Sequence, residues 1–247
     1  TSELLTTMEV LVNGDLQLLF GTSWGRILRG RLQSYSKVCG DCDGRGDGPA
    51  IFCAKDALPF SSFVTENVVA MGGALRAGIT CSIFALGGEG ELGIWTRDPK
   101  QYRSGRSAWC RLQLQLDEGM AMNGWTPVGC FVSASLLAVG GFKKLILYNC
   151  QDGSIHQEVE APWPLLGVGK LSSGRRTALL CAGAERVALL GADDPTVWLE
   201  DVAVPGWTLK ADSVRRVGAL PSGSAPYLWI QSEVGLTAFK MGVLKGI

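Results

Sequence analysis

A single histidine, His156, stands in a chain of 247 residues. That scarcity removes much of the usual enzyme chemistry, because histidine is the commonest general acid or base and a Ser-His-Asp triad requires one. Excess charge of either sign is lacking too: Lys and Arg total 23, Asp and Glu total 23, and the formal net charge is zero. A neutral chain sets up no global field toward nucleic acid or an anionic membrane, so nucleic acid is not expected as a partner. No apolar run reaches the ~18 residues of a membrane span, and no charged start followed by an apolar block marks a secretory leader. GxSxG, Walker A, HExxH and a GxGxxG between strand and helix are all missing. Helical periodicity is absent as well. Glycine at 33 positions would interrupt helices, and no run of about a dozen residues keeps a 3.6-residue apolar period.

What the chain does have is a recurring pattern. Five segments share one shape: LQLLFGTSWGRILRGRL, SIFALGGEGELGIWTRD, SLLAVGGFKKLILYNCQDG, TALLCAGAERVALLGADD and APYLWIQSEVGLTAFKMG. Each is an apolar run, a small-residue turn with a polar tip, and an alternating apolar strand. A continuous apolar run fits a strand covered on both faces, and alternation fits a strand with one wetter face. Aligning Gly21, Gly87, Gly140, Ala182 and Gln231 gives spacings of 66, 53, 42 and 49 residues. Three of them lie near the ~40–50 residues of a propeller blade, and the first leaves room for an insertion. Further strands are expected upstream of each hairpin, at Met8–Val12, Val64–Met71, Val128–Val132, Leu165–Leu171 and Val214–Leu220. Others are expected downstream, at 50–53, 108–116, 155–159 and 196–202. Four strands per unit is the composition of a propeller blade.

On these residues the chain resembles the WD40-like β-propeller superfamily, with LAVGGFKKLILYNCQDGSI matching the second and third strands and following turn of a blade. The Trp-Asp and Gly-His signatures of that group are absent; the third strands end instead in Ile94-Trp95-Thr96, Leu147-Tyr148-Asn149 and Ala238-Phe239-Lys240. The expected fold is therefore all-β, a propeller of about five four-stranded blades covering 1–247, with blades near 6–56, 62–117, 126–160, 163–204 and 212–247. The last blade lacks an evident fourth strand. Either the segment 1–5 supplies it, or the blades belong to a larger propeller.

The densest cluster of chemistry-bearing residues is CGDCDGRGDG, residues 39–48. Cys39 and Cys42 have the spacing of half a zinc site, but no second Cys-x-x-Cys completes it. Asp41, Asp43 and Asp47 fall at positions 1, 3 and 7 of a calcium loop and Gly46 at its turn. Arg45 and Phe52, however, occupy positions where ligands belong. Arg45-Gly46-Asp47 spells an integrin tripeptide. The simplest reading is a solvated turn, so no metal or cofactor is expected. Four of the eight cysteines, Cys81, Cys130, Cys150 and Cys181, lie in or beside apolar runs, as reduced cysteines do. This points to a reducing, cytoplasmic setting.

Eight tryptophans remain to be placed. Trp95 and Trp229 lie within strand patterns and read as packing. Trp125, Trp163 and Trp207 each stand beside Pro or Gly in a connection between blades. They either cover the joints or form an aromatic rim that anchors a partner. Together these features predict a non-catalytic protein-interaction scaffold whose partners are other proteins of a multi-subunit complex. The alternatives are an extracellular carbohydrate- or calcium-binding propeller and a propeller hydrolase, whose carboxylates would leave no local motif.

Overall fold

The computed structural model describes residues 2–13, 15–33, 51–57, 62–76, 79–97, 107–114, 127–173, 176–183, 187–191, 198–202, 214–220, 227–232 and 235–240. All regular structure among them is β, in nineteen strands. No described helix is long and apolar enough to cross a membrane. The chain divides into two compact units, Thr1–Gln113 and Leu114–Ile247.

The first unit holds two four-stranded antiparallel meanders. One comprises β1 (Leu5–Asn13), β2 (Asp15–Thr22), β3 (Ile27–Gln33) and β4 (Ile51–Ala57). The other comprises β5 (Val68–Arg76), β6 (Ile79–Gly87), β7 (Glu91–Arg97) and β8 (Ser107–Gln113). The second unit holds β9 (Val128–Ser133), β10 (Leu136–Gly140), β11 (Lys144–Asn149) and β12 (Ile155–Glu160) in one such sheet. A second sheet is built from β13 (Gly167–Ser173), β14 (Arg176–Ala182), β15 (Val187–Gly191) and β16 (Trp198–Val202). A three-stranded sheet follows, with β17 (Val214–Leu220), β18 (Tyr227–Ser232) and β19 (Gly235–Lys240).

Strand position follows from hydrophobic pattern. The continuous apolar runs become second strands: in β6 every residue from Cys81 to Gly87 is buried, and in β14 every residue from Ala178 to Ala182. They are flanked within the sheet by first and third strands, and their side chains are buried on both faces, which is why the runs are apolar throughout. The outermost β12 alternates, with only Val159 buried, as a strand with a solvated face does. First strands pack beside first strands: β1 against β5 in the first unit, and β13 against both β9 and β17 in the second.

Each unit has its own core between facing sheets. In the first, Leu11, Leu19 and Ile27 meet Phe63, Val68, Met71, Ile83 and Trp95. In the second, Val132, Ala138, Leu145 and Leu147 meet Leu165, Val168, Leu179 and Leu190. Each fully buried Leu, Ile or Phe contributes about 1.5–3 kcal/mol relative to exposure, so these joints account for much of the stability of each unit.

Three sequence expectations are corrected here. The strands expected to start at Val64 and Leu165 start instead at Val68 and Gly167. Val64, Leu165 and Leu166 are buried in the connections ahead of them. The reason is that the backbone at 63–64 and at Leu165 bonds across the joint to the preceding sheet, while Leu166 bonds to the end of β14. Phe63 and Val64 N–H donate to the Gly25 carbonyl (2.8 and 3.3 Å), Leu165 N–H to Phe142 O (3.1 Å) and Leu166 N–H to Ala182 O (2.7 Å). The third concerns the segment considered as a closing strand for the last sheet. β1 begins at Leu5, and Leu4 extends its ladder by bonding Ser23 (N–H of Ser23 to Leu4 O, 2.8 Å). These residues are used inside the first sheet.

Candidate functional site

The turn TSWGR between β2 and β3 builds the most exposed aromatic feature among the described residues of the first unit. Thr22 organises it: its hydroxyl oxygen accepts the N–H of Trp24 (3.3 Å) and of Arg26 (3.1 Å), and its carbonyl accepts the N–H of Gly25 (3.2 Å). Gly25 turns the chain at φ +72°, a conformation glycine adopts without penalty. The result lifts Trp24 to 49% exposure. The Arg26 guanidinium carbon stands 5.6 Å from the centre of the Trp24 ring, within cation–π range. Glu3 grips the same guanidinium in a two-point contact, Nε to Oε1 at 2.8 Å and Nη2 to Oε2. That hydrogen bond holds the Glu3 carboxyl below its ordinary pKa and raises that of Arg26. Leu4 and Leu5, beside Glu3, are 63% and 59% exposed.

The neighbouring connection, 62–67, continues this surface. Glu66 accepts the Glu89 N–H with both carboxylate oxygens (2.9 and 3.0 Å). Glu91, buried at the start of β7, accepts the N–H and hydroxyl of Thr65 (2.5 and 2.6 Å) and pairs with Arg111 Nε at 3.1 Å. Arg111 also donates to the Ser62 carbonyl (3.3 Å). Leu4, Trp24, Gly25, Glu66 and Glu89 thus belong to one hydrogen-bonded end of the unit.

In the second unit Trp163 lies half-buried in the connection from β12 to β13. Its indole packs edge-on over Gly183, where an added Cβ would overlap Cδ1 and approach Nε1 to 2.6 Å. The contact is the one expected of a joint-covering residue. Trp163→Ala is accordingly expected to destabilise the second unit by about 2 kcal/mol, discounted from the ~3–5 kcal/mol of a fully buried aromatic. Thermal unfolding checks this, and an unchanged melting temperature would overturn the covering role.

Trp125, Trp207, Cys39, Cys42, Asp41, Asp43 and Asp47 lie outside the described residues. Among the described residues, no three of His, Cys, Asp or Glu come together as metal ligands would. His156 is exposed on β12. Trp95 joins the first core and Trp229 is half-buried on β18. Trp24 went unmarked in the sequence reading. The signal was present: a tryptophan at a turn tip between two glycines has no strand face in which to bury itself.

No family model and no curated protein matches the chain. Solved structures do. A chain from the crystal structure of BBS1N in complex with ARL6DN, soaked with lead, superposes with a TM-score of 0.61 at 16% identity, over 100% of this chain and 65% of that one. The mercury-soaked form gives 0.61 at 16% identity, over 99% and 67%. A chain of the mitotic checkpoint complex gives 0.56 at 13% identity, over 95% and 61%. The fold these likenesses show is a β-propeller. The propeller described here spans about two thirds of the length of the chains it matches. At such identities the likeness concerns architecture, and the four-stranded antiparallel meander repeated along the chain accounts for it.

Proposed function

We propose that this propeller is a non-catalytic protein-interaction scaffold within a larger assembly. The observation that carries the reading is the ordered, exposed Trp24–Arg26–Glu3 group flanked by Leu4 and Leu5. Tryptophan and arginine are the residues most enriched where protein interfaces concentrate their binding energy. Large side chains held exposed by a rigid turn are what a partner surface covers. The matched propellers come from a BBS1N–ARL6DN complex and a checkpoint complex, which supports the reading by analogy of fold alone.

A reducing, cytoplasmic setting is part of the proposal. Cys81, Cys110, Cys130, Cys150 and Cys181 are thiols. Burial pushes the Cys181 thiol far above its ordinary pKa, with Cys130 adding in the same direction. A thiol kept protonated is a poor nucleophile, so Cys181 behaves as a core residue.

The test is purification of the tagged protein from its native cells in mild buffer, followed by mass measurement and alkylation of the denatured chain without reductant. Recovery in a complex of defined stoichiometry, with every cysteine alkylated, is expected. A monomer that turns over a substrate would overturn the scaffold reading, and disulfide-linked cysteines would overturn the reducing setting.

A further inference from the structure

We propose that the end of the first unit carrying Leu4, Leu5 and Trp24 docks a short segment of a protein partner in which an apolar side chain is flanked by lysine or arginine. The proposal rests on the scaffold reading and adds the chemistry of the partner. Its apolar part is given by exposure: Trp24 is 49% exposed at the turn tip, Leu4, 63% exposed, is bonded to the adjacent Ser23, and Leu5, 59% exposed, opens β1. A tryptophan buries on the order of 150–250 Å² when covered. This one is ordered before any partner arrives, because Thr22 holds its turn and Arg26, clamped by Glu3, lies over its ring. Preorganisation of that kind lowers the entropy cost of binding.

The charge of the partner follows from the rim. Arg26 does not recruit an acidic partner, since Glu3 already occupies its guanidinium at two points. Among the described residues, the charged groups joined by hydrogen bonds or ion pairs into this end are four carboxylates, Glu3, Glu66, Glu89 and Glu91, against two guanidiniums, Arg26 and Arg111. Glu91 and Glu3 are taken by the arginines, whereas Glu66 is bonded by a backbone N–H and Glu89 is exposed. The surplus is negative. The two acidic positions belong to the segments next to this turn: a Cβ on Gly25, the residue after Trp24, would lie 2.8 Å from the Glu66 backbone carbonyl oxygen, and the Glu66 carboxylate accepts the Glu89 backbone N–H. An apolar anchor entering beside Trp24 therefore brings its chain neighbours to Glu66 and Glu89, where cations gain and anions lose. The same carboxylates repel phosphates, which disfavours nucleic acid and anionic lipid as occupants.

A random twelve-residue peptide display library, panned against the full chain, tests this. The selected peptides should place Lys or Arg within a few residues of an aromatic or aliphatic anchor. Trp24→Ala should weaken a selected peptide by about thirtyfold or more, the loss typical of an interface anchor. Glu89→Lys should weaken it several-fold and flatten its salt dependence. Both positions are exposed, and circular dichroism of each variant confirms folding. Selected peptides that are acidic, or binding indifferent to both substitutions, would overturn the proposal. So would an absence of selection, or binding to neutral phosphatidylcholine vesicles in its place. In each of those cases the native complex mass still decides the scaffold reading separately.

Discussion

Phe63→Ala is expected to destabilise the first unit by about 3–5 kcal/mol, the range for truncating a fully buried aromatic. Phe63 has no exposed surface and stands in the connection between the two sheets, not in a strand. Its ring meets Trp109 edge-on, with centroids 4.5 Å apart at 82°, and it shares a core with Leu11, Leu19, Ile27 and Ile83. Removing it leaves a cavity lined by two sheets whose strands are tied by their ladders and cannot collapse inward. The melting temperature should fall by roughly 10 °C. Urea titration gives the free energy, and a loss below about 1 kcal/mol would show that the ring does not fill the joint. The Phe63→Ala, Trp109→Ala double variant should show coupling of about 0.5–1.5 kcal/mol beyond the lost area.

Gly25→Ala should cost about 2–4 kcal/mol, although it adds only one carbon. Two effects combine. At φ +72° an L side chain costs roughly 1–2 kcal/mol. In addition, the new Cβ would overlap the Val64 carbonyl oxygen, which is backbone and cannot rotate away. Relief would require the 62–67 connection to retreat, breaking the bonds from Phe63 and Val64 to Gly25. Gly25→Asn separates the causes, since asparagine tolerates positive φ yet keeps the overlap. It should recover well under half of the loss. Gly88→Ala is the control: its nearest neighbours would stand 3.5 Å or more from the added carbon, and a change within about 0.5 kcal/mol is expected. Equal melting temperatures for Gly25→Ala and the wild type would remove the close approach from the account.

The surface proposed to bind a partner is legible in part. A turn with tryptophan between glycines is readable as a turn. That Arg26 is spoken for by Glu3, 23 residues earlier, is a tertiary fact with no local signature. Trp163 shows the reverse. Its place beside proline suggested a connection, and the packing over Gly183 gives it an intramolecular partner that spacing alone did not reveal.

By itself the sequence determined the all-β class and the meander within each sheet. Continuous apolar runs such as 81–87 can only be dry middle strands, alternating runs such as 155–160 can only be half-wet ones, and short glycine-containing turns force consecutive strands to pair. The tertiary structure alone decided where the strands begin and what the connections do. Val64, Leu165 and Leu166 carry the same apolar signal as strand residues. The backbones of Val64 and Leu165 instead bond to a turn of an adjacent sheet, that of Leu166 bonds to the end of β14 in its own sheet, and all three side chains are buried. Hydrophobicity reports that a residue is buried; which backbone partner it finds is set by chain segments tens of residues away.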